Sequence, residues 1–163
     1  MPRNINESNI SPETDRPEII DMGLVGEITK INPRILEVLD QNEFIPVIAP
    51  IGKGENGETL NINADFVASS IASALHAEKL VLMTDTEGVQ RKNGNLISEL
   101  TRKATNKQVK SGTIRNGMVP KVTCCLDSLK SGVPKTHIID GRIKHALLLE
   151  LFTEEGIGTQ IIE

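Results

Sequence analysis

Three segments of the chain carry polar residues and glycines in patterns that could bind a small ligand. The first is Leu60–Ile71, where Asn61, Asn63 and Asp65 precede an apolar stretch. Asn61 or Asn63 could cap a helix by accepting hydrogen bonds from free backbone N–H groups, and Asp65 in the first turn would complement the helix dipole. The same side chains could also form half of an active site.

The second segment, "TDTEGV" at Thr84–Val89, directly follows the apolar run "KLVLM". Ligands of parallel α/β sheets collect beyond the carboxyl ends of the strands, so a loop in this position is a candidate site. Thr84, Asp85 and Gly88 could hydrogen-bond the ribose or phosphates of a nucleotide. The same residue types also form ordinary turns.

The third segment, "SGTIRNGMVPK" at Ser111–Lys121, places two glycines and a proline before a predicted helix. The first turn of that helix carries Lys121. Free backbone N–H groups and a cation would then converge on one point, which is how proteins hold anions. The alternative is a solvated lysine after a flexible loop.

A fourth candidate lies near the carboxyl end, where "ALLLELF" places Glu150 among apolar residues. Glu150 follows Leu147 by one helical turn and Ile143 by two, so it shares their face. A carboxylate on an apolar face is costly unless a cation meets it. Alternatively, Glu150 sits at the helix edge with its carboxylate in water.

The composition indicates a single soluble domain that binds small molecules. The chain has 163 residues, a net charge of −4, three Phe and no Trp or Tyr. This argues against a surface that tracks phosphates or stacks on bases. The adjacent Cys124 and Cys125 are unsuited to pairing with each other. With no secretory signal and no apolar run long enough for a membrane span, we expect a reduced, cytoplasmic protein.

The commonest catalytic fingerprints are missing from the sequence. There is no P-loop pattern, and the G-x-G-x-x-G spacing at Gly52–Gly57 lies in a predicted loop that no predicted helix follows directly. His76, His137 and His145 are not spaced with the cysteines as zinc ligands, so we expect no protein-bound metal site. No Ser-His-Asp or Cys-His arrangement is indicated.

Alternating strands and helices predict an α/β sandwich with a mainly parallel sheet. The first 16 residues are interpreted as a flexible arm or as the outer part of a hairpin leading into "PEIIDMGLVGEITKI". The sequence predicts helices over "NPRILEVLDQN", Ala64 to about Ala77, Met118 to about Leu129 and "RIKHALLLELF"; buried strands over Phe44–Gly52, Lys79–Thr84 and "THIID"; a hairpin at "RKNGNLI"; and a closing strand at "GTQII".

Taken in order, these segments resemble the acetylglutamate kinases of the amino acid kinase family. The motifs that carry the resemblance are "PEIIDMGLVGEI", "FIPVIAPIG", "NINAD", "AEKLVLMTDTEGV", "GTIRNGMVPK" and "HIIDGRIKHALLLELFTEEGIGT". The resemblance implies a three-layer αβα sandwich and transfer of the γ-phosphoryl of ATP, accompanied by Mg²⁺, to the γ-carboxylate of N-acetyl-L-glutamate. That reaction belongs to arginine biosynthesis.

The resemblance also assigns roles to residues. Asn61 would contact the acetylated amino acid, Asp65 would orient the catalytic lysines, and Lys121 would reach the phosphates. The ATP-binding set would be Thr84, Asp85, Gly88, Gly117, Met118 and Lys121. Where the family usually has two glycines before Met, this chain has Asn116 and Gly117, and asparagine tolerates a positive φ better than most residues.

One part of the family pattern has no match in this sequence. The family's first lobe begins with Lys-x-Gly-Gly, which carries a second catalytic lysine, and nothing before Phe44 matches it. We therefore expect residues 1–30 to be a hairpin region at the edge of the acylamino-acid lobe. Residues 31–163 would hold the end of that lobe and the ATP-binding domain, and the chain alone would bind nucleotide weakly without catalysis.

Arginine-inhibited members of the family share the carboxyl-terminal motif. In them the positions that match His137, Glu150 and Gly156 belong to the arginine effector site. A guanidinium would give Glu150 its cationic partner. The hexamer of those enzymes depends on an N-terminal helix not found in this sequence, so we expect a dimer.

Two other hypotheses stay open at this point. One is a different carboxylate kinase of the same fold, such as a glutamate or aspartate kinase, which "NINAD" and "HALLLELF" disfavour. The other is a non-catalytic domain that binds arginine or a nucleotide.

Overall fold

A computed structural model describes residues 8–9, 18–19, 24–153 and 156–163. Near the amino end, strands β1 (Ser8–Asn9) and β2 (Glu18–Ile19) pair antiparallel, as the hairpin alternative predicts. The rest of the predicted arm and hairpin before Leu24 lies outside the described residues. A second two-stranded sheet joins β3 (Ile51–Lys53) to β4 (Thr59–Asn61), also antiparallel.

The main sheet has four strands, β5 (Leu80–Thr84), β6 (Glu99–Thr101), β7 (Thr136–Asp140) and β8 (Thr159–Ile162), in the order β5-β7-β8-β6. The pairs β5·β7 and β6·β8 are parallel, and the central pair β7·β8 is antiparallel. The predicted α/β fold with a mostly parallel sheet is thus confirmed. All five residues of β7 are buried, so both faces of the sheet are covered there.

The described residues form five helices: α1 (Arg34–Gln41), α2 (Ala64–Ala74), α3 (Arg102–Lys110), α4 (Met118–Lys130) and α5 (Ala146–Phe152). Helices α2 to α5 pack against the main sheet, whereas α1 does not contact it. Helix α4 packs against β5, β7 and β8 and also contacts α2 and α3. Its buried face includes Val122, Cys125 and Leu129. Both cysteines are free, and burial raises the pKa of each thiol to about 12, so neither is a reactive thiolate.

The predicted buried strand at Phe44–Gly52 is wrong. Only Ile51 and Gly52 belong to a strand, and β3 pairs with β4 alone. Ile45 and Val47 are 90% and 96% exposed. The apolar composition was typical of a buried strand, but no described element packs over this run.

Other boundaries shift for local reasons. Helix α2 ends at Ala74, because His76 adopts a left-handed φ of 49°. Helix α5 begins only at Ala146, since Asp140 and Arg142 form a turn after β7 and His145 is left-handed. The elements β6 and α3 have no counterpart in the sequence prediction. Among the described residues, no helix is long and apolar enough to span a membrane.

Candidate functional site

The contact between α2 and α4 brings Asp65 and Lys121 together. The side chain of Asn63 caps α2 by accepting from the backbone N–H of Asp65 at 2.9 Å, which confirms the predicted cap. The Lys121 Nζ donates to both carboxylate oxygens of Asp65, at 2.9 and 3.1 Å. The cap therefore fixes the first turn of α2 at the place where its carboxylate meets the lysine.

The Asp65–Lys121 ion pair is partly accessible from outside. Its side chains are 19% and 20% exposed, respectively. An ammonium group has three N–H donors, and the two contacts to Asp65 occupy at most two of them. The third can meet an incoming anion while Asp65 holds the ammonium in place.

The loop before α4 leaves room for such an anion. Asn116 takes the left-handed conformation, with φ 55°, which asparagine tolerates well. A Cβ built at Gly117 would have no atom within 4 Å, so nothing in the described protein fills that space. No side chain caps the first turn of α4, and free N–H groups at a helix start favour negative charge.

A cleft of about 630 Å³ opens beside this loop. Three cationic residues, Arg91, Lys92 and Arg115, contribute to its walls. It is lined by Thr86, Gly88, Val89, Gln90, Arg91, Lys92, Gly94, Gly112, Thr113, Ile114, Arg115 and Met118.

Only part of the predicted ATP-binding set lines the cleft. Gly88 and Met118 do, whereas Thr84, Asp85, Gly117 and Lys121 lie outside its lining. Lys121 follows Met118 by one turn of α4, so the cation and the cleft are adjacent on one helix. The sequence reasoning missed Arg91, Lys92 and Arg115, although the first two flank the predicted Asn-Gly hairpin and the third lies inside the Gly-rich segment.

Gly88 also has a structural reason to be glycine. Its φ is 140°, and a Cβ would come within 2.6 Å of Thr159 Oγ1. That hydroxyl accepts from the backbone N–H of Val89 at 2.8 Å and donates to the carbonyl of Ile97 at 2.7 Å. Gly88 thus lets the "TDTEGV" loop pack tightly against β8.

Thr84 and Asp85 lie where β5 and β7 end. Thr84 is paired with Asp140 across the two strands, and its carbonyl accepts from the N–H of Gly141 at 2.8 Å. The Asp140 carboxylate is occupied by Arg142, whose guanidinium lowers the pKa of that carboxyl to about 2. Asp85 is exposed, and Thr84 Oγ1 donates to its carboxylate at 3.2 Å.

Asn61 ends β4 and sits beside the start of α2. Its backbone bonds to the segment around Val25, donating to the carbonyl of Leu24 at 2.8 Å and accepting from Gly26 N at 2.9 Å. The residue is exposed. Asn61 thus lies at the end of β4, four residues before Asp65 and outside the lining of the cleft.

A second cluster joins His137 of β7, Glu150 of α5 and Gly156. The Nδ1 of His137 bonds to Glu150 Oε1, and Ile157 N donates to Glu150 Oε2 at 2.8 Å. Gly156 has φ 62° and packs closely on the same carboxylate. The buried Glu150 therefore has its partners within the chain.

The other nitrogen of His137 is buried and has no hydrogen-bond partner among the described residues. Burial lowers the pKa of His137, although Glu150 opposes that shift, so the ring is neutral at pH 7. Since Nδ1–H donates to the carboxylate, Nε2 carries a lone pair and needs a donor. The adjoining cavity, of about 360 Å³, is also lined by Lys79, Lys135, Ser98, Glu99 and Gln160.

The model of the Amino acid kinase family matches residues 2–140. The chain belongs to the amino acid kinase family. Within that family, it is 58% identical over 146 residues to an acetylglutamate kinase from Syntrophobacter fumaroxidans, covering 90% of this chain and 49% of that protein. It is 56% identical over 145 residues to another from Desulfotalea psychrophila, covering 89% and 49%. The chain thus spans about half the length of these relatives.

Two solved structures superpose on this chain. N-acetylglutamate synthase from Neisseria gonorrhoeae, complexed with coenzyme A and L-arginine, superposes with a TM-score of 0.80 at 28% identity, over 98% of this chain and 37% of that one. Carbamate kinase from Giardia lamblia bound to AMP-PNP has a TM-score of 0.67 at 17% identity, over 96% and 52%, and supports the fold alone.

The burial of neutral His137 makes stability depend on pH. Because its pKa is lower folded than unfolded, the unfolded state takes up a proton first as pH falls below about 6.5. We expect the free energy of unfolding to have its full value above that pH and to decline as pH falls from 6.5 toward 5.5, by up to about 1.4 kcal/mol per pH unit. Urea titrations of wild type and His137→Gln measure this slope.

The exposed His76 supplies the control for that experiment. His76→Gln should keep the wild-type slope, whereas His137→Gln should flatten it. An unchanged slope in His137→Gln would contradict the assignment of a buried neutral ring.

Proposed function

We propose that this chain is the ATP-binding half of an acetylglutamate kinase, which transfers the γ-phosphoryl of ATP to the γ-carboxylate of N-acetyl-L-glutamate in arginine biosynthesis. The observation that carries the proposal is the Asp65–Lys121 ion pair beside a glycine-lined cleft. The names and 56–58% identities of the two relatives support the choice of acceptor over glutamate or aspartate.

Phosphoryl transfer needs alignment of two substrates and neutralisation of charge on the transferring oxygens more than covalent chemistry. Lys121 supplies the charge, through the N–H that Asp65 leaves free. Asp65 acts by fixing the ammonium, because both of its oxygens accept from Lys121 Nζ. The phosphates approach over Gly117, where no atom would meet a Cβ.

The nucleotide occupies the cleft next to α4. Gly88 and Met118 form part of its surface, and Arg91, Lys92 and Arg115 provide positive charge for the phosphates. Thr84 and Asp85, at the carboxyl end of β5, hydrogen-bond the ribose or phosphates from the neighbouring edge.

Asn61 contacts the acetylated amino acid. Its side chain is exposed beside the capped start of α2, four residues before Asp65. An acceptor held there would lie near the start of α2, which also carries the Asp65–Lys121 ion pair, and in-line transfer requires its carboxylate to face the γ-phosphate.

Mg²⁺ accompanies the nucleotide in this proposal. Proteins usually bind Mg²⁺ through substrate phosphates and one or two carboxylates. The described residues include no group of three or more His, Cys, Asp or Glu placed to hold a metal, and Asp65 and Asp140 are already paired. This donor set fits a metal that arrives with ATP and shields its phosphate charge. Asp85, at the end of β5, is exposed and accepts only from Thr84 Oγ1 among the described residues, so its carboxylate could contribute to such a metal.

Catalysis requires polypeptide that corresponds to the rest of the relatives' length. The chain spans about half of them, and its apolar run at 44–48 is exposed over most of its residues. Apolar side chains exposed contiguously mark surfaces that other polypeptide covers. The chain alone therefore binds nucleotide weakly and lacks turnover.

The direct test combines this chain with the first half of the Desulfotalea psychrophila relative, with ATP and each of acetylglutamate, glutamate and aspartate as acceptor. We expect acetylglutamyl phosphate only from the combined protein and only with acetylglutamate. Lys121→Ala should reduce kcat by about 10²-fold or more, since an electrostatic donor is lost.

The matched control is Lys130→Ala, an exposed lysine on the same helix that pairs with Asp127. Its kcat should match wild type, and circular dichroism should be unchanged for both variants. Near-normal kcat in Lys121→Ala would refute the site, and substantial turnover by the chain alone would refute the need for the other half.

A second candidate function, binding of arginine as an effector, is favoured by the cluster of His137, Glu150 and Gly156. The buried Nε2 of His137 accepts but cannot donate while Nδ1–H is held by Glu150. A guanidinium has only donors, so it matches this atom, and the carboxylates of Glu99 and Glu150 lie on the same cavity. The synthase structure that superposes on this chain holds L-arginine, which supports the same ligand class.

Calorimetric titration with arginine checks this second function. We expect binding to wild type and a Kd at least about tenfold weaker in His137→Gln, the magnitude typical of one hydrogen bond to a charged group. Citrulline, which lacks the charge, should bind more weakly than arginine. Equal arginine affinity in His137→Gln and in the exposed-site control His76→Gln would contradict the assignment.

A further inference from the structure

Two serine hydroxyls are buried in the contact between α2 and α4. Ser69 is 6% exposed and Ser128 is fully buried. Ser69 Oγ donates to the backbone carbonyl of Cys124 at 3.0 Å, and the two serine oxygens are 2.9 Å apart. Because Ser69 spends its single proton on the carbonyl, Ser128 donates to Ser69, and both hydroxyls are satisfied.

These hydrogen bonds require the two helices to lie very close together. A serine hydroxyl is only one atom beyond Cβ, yet it reaches the main chain of the opposite helix. Interhelical distance depends on the size of the side chains at the contact. A branched side chain at position 69 would therefore force α2 away from the carbonyl of Cys124.

The same contact continues to the catalytic ion pair. Asp65 precedes Ser69 by one turn on α2, and Lys121 precedes Cys124 by one turn on α4. Residues three or four apart lie on one face of a helix, so the serine pair and the ion pair are successive contacts along one line. The helix spacing at Ser69 thus sets how far the Lys121 ammonium must reach to meet Asp65.

We infer that Ser69 and Ser128 are positioning residues for Lys121: they keep α2 and α4 at the separation at which Asp65 orients the ammonium toward the phosphates. The kinetic consequence rests on the proposed function, whereas the structural consequence does not. The essential property is the short distance between α2 and α4, which small side chains at positions 69 and 128 permit. The hydrogen bonds serve to satisfy the two buried serine hydroxyls.

The primary experiment measures Lys121 in the free chain without any substrate. Trinitrobenzenesulfonate labelling, followed by mass spectrometry, reports the reactivity of Lys121 relative to Lys130. Asp65→Asn defines the released state. We expect Ser69→Val to raise Lys121 labelling severalfold toward that of Asp65→Asn, while the double variant Ser69→Ala/Ser128→Ala stays near wild type because it preserves close approach and leaves no unpaired hydroxyl.

Ser70→Val is the matched control, because Ser70 lies about 100° around α2 from Ser69. Unchanged Lys121 labelling in Ser69→Val, or an equal rise in Ser70→Val, would overturn the inference. If circular dichroism shows that Ser69→Val does not fold, Ser69→Thr takes its place, since it adds one methyl group and keeps the hydroxyl. A folded Ser69→Thr with wild-type labelling would overturn the inference equally.

Kinetics of the combined enzyme provide the second readout. A displaced ammonium should lower kcat by about tenfold to a hundredfold with little change in the KM for ATP, since misplacement of a catalytic group acts on the transition state. A rise in KM alone would contradict a positioning role. Absence of turnover in wild type would refute the proposed function, and the labelling pattern would still decide the role of the serines.

Discussion

The close contact between α2 and α4 is the constraint on which the candidate site depends. Asp65 and Lys121 are 56 residues apart in sequence, and only this contact brings their side chains together. A partly buried ion pair gains little stability, because desolvation offsets attraction. Its value lies in geometry: Asn63 fixes the first turn of α2, and the buried face of α4 fixes the backbone that carries the lysine.

The His137–Glu150 pair follows a different physical logic. Here the carboxylate is nearly removed from water, and it is satisfied by a neutral imidazole and by the backbone N–H of Ile157. The second imidazole nitrogen is buried and has no hydrogen-bond partner among the described residues, so its desolvation is not compensated. A buried polar atom left unpaired is expensive, so such an atom facing a cavity favours a ligand that restores the bond.

Sequence patterns predicted the elements in which local chemistry and burial agree. The cap at Asn63, the strand Thr136–Asp140 and the helix Met118–Lys130 are of this kind. The predicted buried strand at 44–52 was wrong because an apolar composition indicates that a segment can be buried, but it does not indicate whether another element covers that segment. Helix α3 escaped prediction because its nine residues are mostly polar and lack an apolar period.

The residues of the candidate site likewise differ in whether the sequence could predict them. Asp65 and Lys121 were predicted from polar and Gly-rich segments that precede helices, and Glu150 from its place among apolar residues. His137 was predicted only through the family resemblance. Residue spacing in the sequence did not determine the hydrogen-bond partner of each side chain. Glu150, for example, has its partners within the chain. The sequence did not single out Ser69 or Ser128, since a serine in a predicted helix is ordinarily assigned to the exposed face. Their burial becomes evident only when the packing of α2 against α4 is known.

A crystal structure of the chain with AMP-PNP tests the central claim most directly. We expect phosphates above Gly117, in hydrogen-bond contact with Lys121 Nζ, while Asp65 keeps its bonds to the same ammonium. A nucleotide bound elsewhere, or bound in the cleft with Lys121 held by Asp65 alone and no phosphate oxygen within reach, would contradict it.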